Sequence, residues 1–251
     1  MANPIEAKIK SPDFFREHSS QGGRLTREQV TTTTIAAMAI VIAVAAATWF
    51  AGTVNPGVAL SAALIGSIGL LVTTLISVLS NRLQPTSVGV MVLFAVLEGL
   101  LAGGFTFSGA TFISGKPAGE IIGQALMATV AVVFAATWLY RSGKFVPSAR
   151  LRNAVRSAGW GFVILYAVNL LVTLIAGKNF LFSSGPLPII IGLVAVIVAA
   201  LSIIDTLATS DELIAEGAGS EYRFAVATAL MADVVWMYVE IFRILAISSR
   251  E

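Results

Sequence analysis

The chain has 251 residues, of which 57% are hydrophobic and only 12% are charged, and its mean hydropathy is +0.87. A soluble domain carries about 25% charged residues, so this composition excludes an ordinary soluble domain and favours a protein that crosses a membrane several times. The formal net charge of +2 is too small to indicate nucleic-acid binding, and the absence of cysteine excludes disulfides, thiolate catalysis and cysteine metal sites.

The first 30 residues are polar and contain the single histidine of the chain, His18. With one histidine outside the apolar runs, two-histidine zinc motifs and a buried histidine relay are excluded. We predict that residues 1–30 form a mostly flexible cytoplasmic tail and that residues 31–251 form one transmembrane domain.

Seven apolar runs follow, each close to the ~20 residues that a membrane-spanning helix requires. All eight prolines lie outside these runs or at their edges, so no broken helix of the transporter kind is expected. The sequence therefore predicts an all-α membrane protein with seven transmembrane helices. The predicted spans are 33–53, 58–80, 87–108, 120–140, 158–177, 187–209 and 223–248.

The Lys and Arg residues outside the spans are distributed unequally between the two sides of the membrane. The side of the N-terminus carries twelve of them, whereas the opposite side carries Lys116, Lys178 and Arg250. Because cytoplasmic segments are enriched in Lys and Arg, we predict a cytoplasmic N-terminus and a C-terminus on the other side.

The third span contains the segment Glu98-Gly99-Leu-Leu-Ala-Gly103-Gly104. Gly99 and Gly103 are four residues apart and form a small-residue face on which another helix can pack closely. Glu98 lies about twelve residues into the span, or ~18 Å from its start at 1.5 Å per residue. A carboxyl group at that depth must face protein or water, so we predict that Glu98 faces the last helix or lines a cavity.

Two aspartates in the last two spans lie near the side of the membrane that carries the N-terminus. Asp205 is predicted ~7 Å from that side and Asp233 ~15 Å, a difference within the error of the helix boundaries and tilt. If the two carboxyl groups meet, they share one proton and form a proton-sensitive latch between the helices. The alternative is that each aspartate caps a helix or forms its own hydrogen bonds, which the neighbouring Thr206 makes plausible.

Glu240 and Arg243 are three residues apart in the last span, and therefore lie on one face of its helix. The simplest interpretation is an ion pair in which each charge neutralises the other. The alternative is that Arg243 faces a central cavity, which Tyr166, Asn169 and Gln124 would also line. The four acids between residues 211 and 221 are interpreted as a solvated loop, since they lack the dense oxygen ligands of a calcium loop.

Several segments together resemble the Bax inhibitor family, the transmembrane Bax-inhibitor-motif proteins. These are Asp205-Thr206, the acidic loop that ends at Glu221-Tyr222, and Asp233 before an Ile-Phe-Arg-Ile-Leu ending. Glu98-Gly99-Leu100 and the entry segment Leu25-Thr-Arg-Glu-Gln-Val30 are similar to bacterial members of the family. The resemblance extends from residue 25 to the C-terminus.

The resemblance implies a bundle of seven helices in which the last helix is central and the other six surround it. It also implies an aspartate pair, Asp205 and Asp233, in a multi-pass protein of the bacterial inner membrane. The interval of 28 residues between these aspartates is wider than the family pattern, which makes Asp211 an alternative to Asp205. An arginine that family members place near the pair has only Arg82 as a loose match.

The resemblance implies a pH-sensitive calcium leak and, in some members, contact with a membrane protease, so two functions follow as expectations. The first is a calcium leak channel closed by the paired aspartates, in which Asp205, Asp233 and water bind calcium weakly and transiently. The second is a membrane regulator that conducts nothing and contacts a partner protein or protease in the membrane, with the Gly99/Gly103 face as its docking surface. Retinal-based pumping is excluded because no lysine lies within a span, and no nucleophile–base set indicates an enzyme.

Overall fold

The computed structural model describes residues 23–80, 86–114, 116–183 and 185–249, without the side chains of residues 78–80. These residues form seven long α-helices, with a π-helical turn over Gly109–Ile113 and a 3-10 turn over Phe180–Phe182. The helices are α1 (Arg27–Val54), α2 (Pro56–Ser80), α3 (Val88–Ser108), α4 (Ala118–Arg141), α5 (Ala149–Ala176), α6 (Pro186–Ala215) and α7 (Tyr222–Ser248). Helices α1 to α6 are long and apolar enough to cross a membrane, which confirms a multi-pass membrane protein.

Local capping interactions extend two helices beyond their predicted starts. Thr26 and Gln29 form a capping box, in which each side chain accepts a hydrogen bond from the other residue's backbone N–H, so α1 begins at Arg27 rather than near residue 33. The Ser148 side chain accepts a hydrogen bond from the Leu151 N–H, so α5 begins at Ala149 rather than near residue 158. The added turns of α5 carry Arg150, Arg152 and Arg156, which lie outside the predicted span.

The glycines of α3 allow two other helices to approach its backbone. A Cβ atom on Gly99 would lie 2.6 Å from the Val44 Cβ, and one on Gly103 would lie 2.4 Å from the Ala45 carbonyl oxygen. Gly104 faces α2 in the same manner, because its Cβ would lie 2.3 Å from the Ala59 carbonyl oxygen. The predicted Gly99/Gly103 packing face is confirmed, and α1 of the same chain occupies it.

Helix α7 packs against α1, α3, α4 and α6, and its side chains also contact α5. Met231, Met237 and Phe242 are completely buried along its length. Helix α2 packs mainly against α1 and α3. Five helices are therefore in contact with α7, whereas the arrangement in which all six surround it stays a prediction.

Residues Gly23–Leu25, here called the N-terminal strap, lie against the connection between α6 and α7. The Leu25 N–H donates to the Ala218 carbonyl at 2.8 Å, and the Ser220 N–H donates to the Gly23 carbonyl at 2.9 Å. The Leu25 side chain is buried with 3% of its surface exposed. Part of the predicted tail is therefore folded against the helices, while residues 1–22 and His18 lie outside the described residues.

Consecutive helices run in opposite directions, which gives the bundle two sides. We call the side on which α1, α3, α5 and α7 begin the Arg27 side, and the opposite side the Val54 side. Polar clusters lie near each side, and they differ in composition.

Candidate functional site

The first cluster, on the Arg27 side, is centred on Asp205 of α6. Arg152 and Arg156, one turn apart on the same face of α5, both contact its carboxylate. The distances are 3.2 Å from the Arg152 Nε to Oδ1 and 3.6 Å from the Arg156 Nε to Oδ2. Arg152 also contacts Glu212 at 2.8 Å, so these ion pairs connect the start of α5 with the end of α6.

Asp233 of α7 is held by hydroxyl groups of α6. The Thr206 Oγ1 donates to the Asp233 Oδ2 at 3.1 Å, and Ser202, one turn earlier, also hydrogen-bonds this carboxylate. The charges of Asp205 and Asp233 are close enough to act on each other. The structure therefore brings the two predicted aspartates into one cluster, and each has partners of its own, whereas a shared proton stays a prediction.

Glu98 of α3 belongs to the same cluster. Only 3% of its surface is exposed, and its Oε2 atom has no hydrogen-bond partner among the described residues. The charge of Asp233 acts on the Glu98 carboxyl group. The prediction that Glu98 lies inside the protein is thus confirmed, whereas its orientation toward the last helix stays a prediction.

Asp211, the alternative to Asp205, has different partners. Its carboxylate contacts the Arg27 Nε at 2.9 Å and accepts a hydrogen bond from the Tyr140 hydroxyl at 2.8 Å. These contacts connect the end of α6 to α1 and α4 at the surface of the bundle. Arg82, the predicted latch arginine, lies outside the described residues; among the residues that the structure describes, Arg152 and Arg156 contact Asp205.

A cleft of about 530 Å³ opens on the Arg27 side next to this cluster. Arg27, Tyr140, Arg152, Asp211 and Glu212 provide most of its polar lining. Arg152 therefore lines the cleft and contacts the buried carboxylate of Asp205 as well. The ion pairs of Asp205 consequently lie beside a space that is open toward the surface.

The second cluster, on the Val54 side, is the ion pair of Glu240 and Arg243, each with 2% of its side chain exposed. The Arg243 Nη1 atom also donates to the carbonyl oxygens of Leu181 at 2.9 Å and Pro188 at 3.2 Å. The predicted ion pair is confirmed, and Arg243 anchors the connection between α5 and α6 to the last helix.

Other predicted cavity residues contribute to this second cluster. The Tyr166 hydroxyl donates to the Glu240 Oε1 at 2.9 Å and accepts from the Trp236 Nε1 at 2.9 Å. Asn169 is buried, and its Oδ1 accepts a hydrogen bond from the Leu181 N–H. Gln124 instead hydrogen-bonds Glu120 on α4, so it does not belong to the cluster.

The two clusters differ in what they can do chemically. The part of the chain that the structure describes holds no group of three or more His, Cys, Asp or Glu residues suited to a metal ion. Two arginines balance the charge of Asp205, which disfavours that residue as a calcium ligand. Sequence reasoning missed Arg152, Arg156 and Ser202, although the four-residue spacing of the two arginines was available as a signal.

A comparison with protein families matches residues 5–250 of the chain to the model described as Bax inhibitor 1 like. No curated protein and no solved structure gives a significant match. The family match covers nearly the whole chain, including all seven helices and both polar clusters.

Proposed function

Because the chain belongs to the Bax inhibitor 1 like family, we propose that it is a pH-sensitive leak channel for calcium. The observation that carries this proposal is the acidic cluster inside the bundle, in which Asp205 and Asp233 connect α6 to α5 and to α7. Ionisable residues at such depth are costly in a membrane and usually serve a function.

In the proposed mechanism, the aspartate cluster holds the Arg27 side closed. At low pH a proton shared by Asp205 and Asp233 removes one negative charge, and the helices stay together. As the pH rises, the proton leaves, and repulsion between the two carboxylates separates α6 from α7. Calcium flux should therefore increase as the pH rises through the titration of the pair.

The proposal includes an arrangement in the membrane. Helix α7 would be the central helix, the N-terminus would face the cytoplasm, and the protein would lie in a bacterial inner membrane. The excess of Lys and Arg on the Arg27 side supports this orientation. A reporter enzyme fused after residue 148 should be active in the cytoplasm and one fused after residue 251 should be active outside, and the reverse pattern would contradict the orientation.

Calcium flux into liposomes that contain only the purified protein tests the channel. The parent should admit calcium, and the flux should be higher at pH 8 than at pH 6. Asp233→Asn and Asp205→Asn should each flatten this pH profile, because the coupling belongs to the pair. Asp211→Asn is the matched control and should keep the parent profile, since Asp211 contacts Arg27 and Tyr140 instead.

Parent-like pH profiles in both Asp205→Asn and Asp233→Asn would contradict the shared-proton latch. A loss of pH dependence in Asp211→Asn and Asp233→Asn alone would keep the mechanism but change the pair. Liposomes that admit no calcium at any pH would favour the second function, a regulator that contacts a partner or protease in the membrane. The Gly99/Gly103 surface that this second function would use is filled by α1.

A further inference from the structure

One face of helix α4 is apolar and exposed over the second half of the helix. Val130, Phe134 and Trp138, here called the α4 stripe, follow one another at four-residue intervals, and each is more than half exposed. The buried residues of α4 lie on its other faces, where the helix packs against α6 and α7. The α4 stripe is therefore exposed to the acyl chains of lipids.

The α4 stripe ends in two cations on the Arg27 side. Arg141 follows Trp138 by three residues and lies on the same side of the helix, and the Lys144 Nζ atom lies 5.2 Å from the centroid of the Trp138 ring. Both cations are exposed, and neither forms an ion pair within the part of the chain that the structure describes. Residues 139–148 contain no Asp or Glu. Two positive charges thus lie at the end of an apolar surface.

The cleft beside these cations has a surplus of positive charge. Arg141 lines the cleft together with Arg27 and Arg152, and the acids of the same lining are Asp211 and Glu212. Asp211 contacts Arg27 and Glu212 contacts Arg152, so each of these acids has a basic partner. The charge of Arg141 is therefore not balanced by the acids of the lining, and the cleft favours an anion.

The α4 stripe and its cations together have the length of one leaflet of a membrane. Arg141 lies eleven residues after Val130 (141 − 130), which is a rise of ~16 Å at 1.5 Å per residue. Half of the hydrocarbon core of a bilayer is ~15 Å thick. Trp138 then lies at the depth at which aromatic side chains meet the headgroups, and Arg141 and Lys144 lie at the level of the phosphates.

We propose that Arg141, Lys144 and the α4 stripe bind one phospholipid of net negative charge from the leaflet on the Arg27 side. The lipid phosphate accepts hydrogen bonds from the Arg141 guanidinium and the Lys144 ammonium, and an acyl chain lies along the stripe. Basic pockets between helices at the membrane surface suit such headgroups. A zwitterionic lipid fits less well, because the same two residues repel its cationic group.

This lipid site goes beyond the proposed calcium leak and does not depend on it. Its residues belong to α4 and to the connection between α4 and α5, whereas the latch residues belong to α6 and α7. The site also differs from the general excess of Lys and Arg on the Arg27 side. Arg223, a cation of the same side, stacks on Phe224 and lies outside the lining of the cleft.

Fluorescence quenching by brominated lipids tests the site, because bromine quenches tryptophan on contact. Full-length protein is reconstituted into phosphatidylcholine vesicles that contain increasing fractions of brominated phosphatidylglycerol or brominated phosphatidylcholine. The quenching of Trp138 is the difference between each protein and its Trp138→Phe form. In the parent, this quenching should require a severalfold lower fraction of phosphatidylglycerol than of phosphatidylcholine. Equal quenching by the two lipids would overturn the site.

Variants of the two cations test whether the preference belongs to this site. Arg141→Gln and Lys144→Gln should each lower the preference for phosphatidylglycerol by up to about fivefold, and the double variant should abolish it. Arg223→Gln is the matched control and should keep the preference of the parent. A parent-like preference in the folded double variant, or an equal loss in Arg223→Gln, would overturn the site.

Two measurements on the parent cover the case in which a variant does not fold. Raising the salt concentration from ~0.1 M to ~1 M shortens the screening length from ~10 Å to ~3 Å, and should weaken the preference for phosphatidylglycerol. Glycerol phosphate in solution should not displace the lipid, because it has no acyl chain to contact the α4 stripe. A preference that salt leaves unchanged, or that glycerol phosphate abolishes, would overturn the site in favour of an apolar contact or a site for free anions, respectively.

Discussion

The acidic cluster on the Arg27 side and the ion pair on the Val54 side are both polar groups inside an apolar bundle, but their charges balance differently. Glu240 and Arg243 neutralise each other, and Tyr166, Leu181 and Pro188 accept or donate the surrounding hydrogen bonds. The Glu240–Arg243 pair at the centre of this second cluster is buried, which suits a structural connection between helices.

The acidic cluster on the Arg27 side has more acids than bases, because Glu98, Asp205 and Asp233 lie together with two arginines. Arg152 and Arg156 contact Asp205, whereas Asp233 has hydroxyl partners and the Oε2 atom of Glu98 has no partner among the described residues. A cleft adjoins this cluster through Arg152. Two polar clusters inside one apolar bundle therefore differ in charge balance and in access to the surface.

The largest effect should come from breaking the closed cluster. Arg243→Met leaves Glu240 buried without its partner, and should reduce the free energy of unfolding by about 3–5 kcal/mol. The midpoint of thermal unfolding in mild detergent measures this loss. Arg141→Met, at an exposed arginine, is the control and should change the midpoint little. A midpoint for Arg243→Met close to that of the parent would show that the ion pair is not what holds this side together.

Next in size is the loss of the arginine that connects α5 to Asp205. Arg152→Gln removes charge-assisted contacts to Asp205 and Glu212, and should cost about 1.5–3 kcal/mol. Unlike the Val54-side variants, it should also raise calcium flux at pH 6, because the closed state loses a connection. Flux assays in liposomes, with Arg150→Gln as control, measure this difference. Unchanged flux at pH 6 would show that Arg152 stabilises the fold but does not help to keep the channel closed.

A smaller effect is expected for Tyr166→Phe. The lost hydroxyl bonds both Glu240 and Trp236, so the free energy of unfolding should fall by about 1–2 kcal/mol. The pH profile of the flux should stay that of the parent. Tyr140→Phe, which loses one hydrogen bond to Asp211, is the matched control and should be milder. A flattened pH profile in Tyr166→Phe would show that the cluster on the Val54 side also affects the pH dependence of the flux.

The smallest effect should be that of Asp211→Asn. Its partner Arg27 has 75% of its side chain exposed, and exposed ion pairs contribute at most ~1 kcal/mol. Chemical denaturation should therefore resolve little change in the free energy of unfolding. A loss larger than that of Tyr166→Phe would show that the surface contacts of α6 contribute more to the free energy of unfolding than their solvent exposure predicts.

Hydropathy and spacing were sufficient for much of this structure. All seven apolar runs become helices, and α1 to α6 have the length and composition that a bilayer requires. The packing role of Gly99 and Gly103, the burial of Glu98, and the pairing of Glu240 with Arg243 also followed from helical spacing. These features depend on residues within one helix or on the depth of a single residue.

The partners of the aspartates depend on contacts between helices, which spacing along one helix does not determine. Arg152 and Arg156 lie before residues 158–177, the apolar run that predicts α5, so the sequence counts them only among the twelve basic residues outside the spans. The Ser148 cap extends α5 by more than two turns and turns these arginines toward Asp205. Likewise, the contact of Ser202 with Asp233 follows from the crossing of α6 and α7 rather than from either sequence segment.

The N-terminal strap ties together two segments that the ribosome makes far apart in time. Leu25 is synthesised near the start of translation, whereas its hydrogen-bond partner Ala218 follows 193 residues later (218 − 25). At a translation rate of ~5–20 residues per second, about 10–40 s pass between the synthesis of the strap and that of the segment it binds. Closure of the strap therefore reports that α6 and the connection after it have been made, and nascent chains stalled before residue 218 should stay open to protease at Leu25.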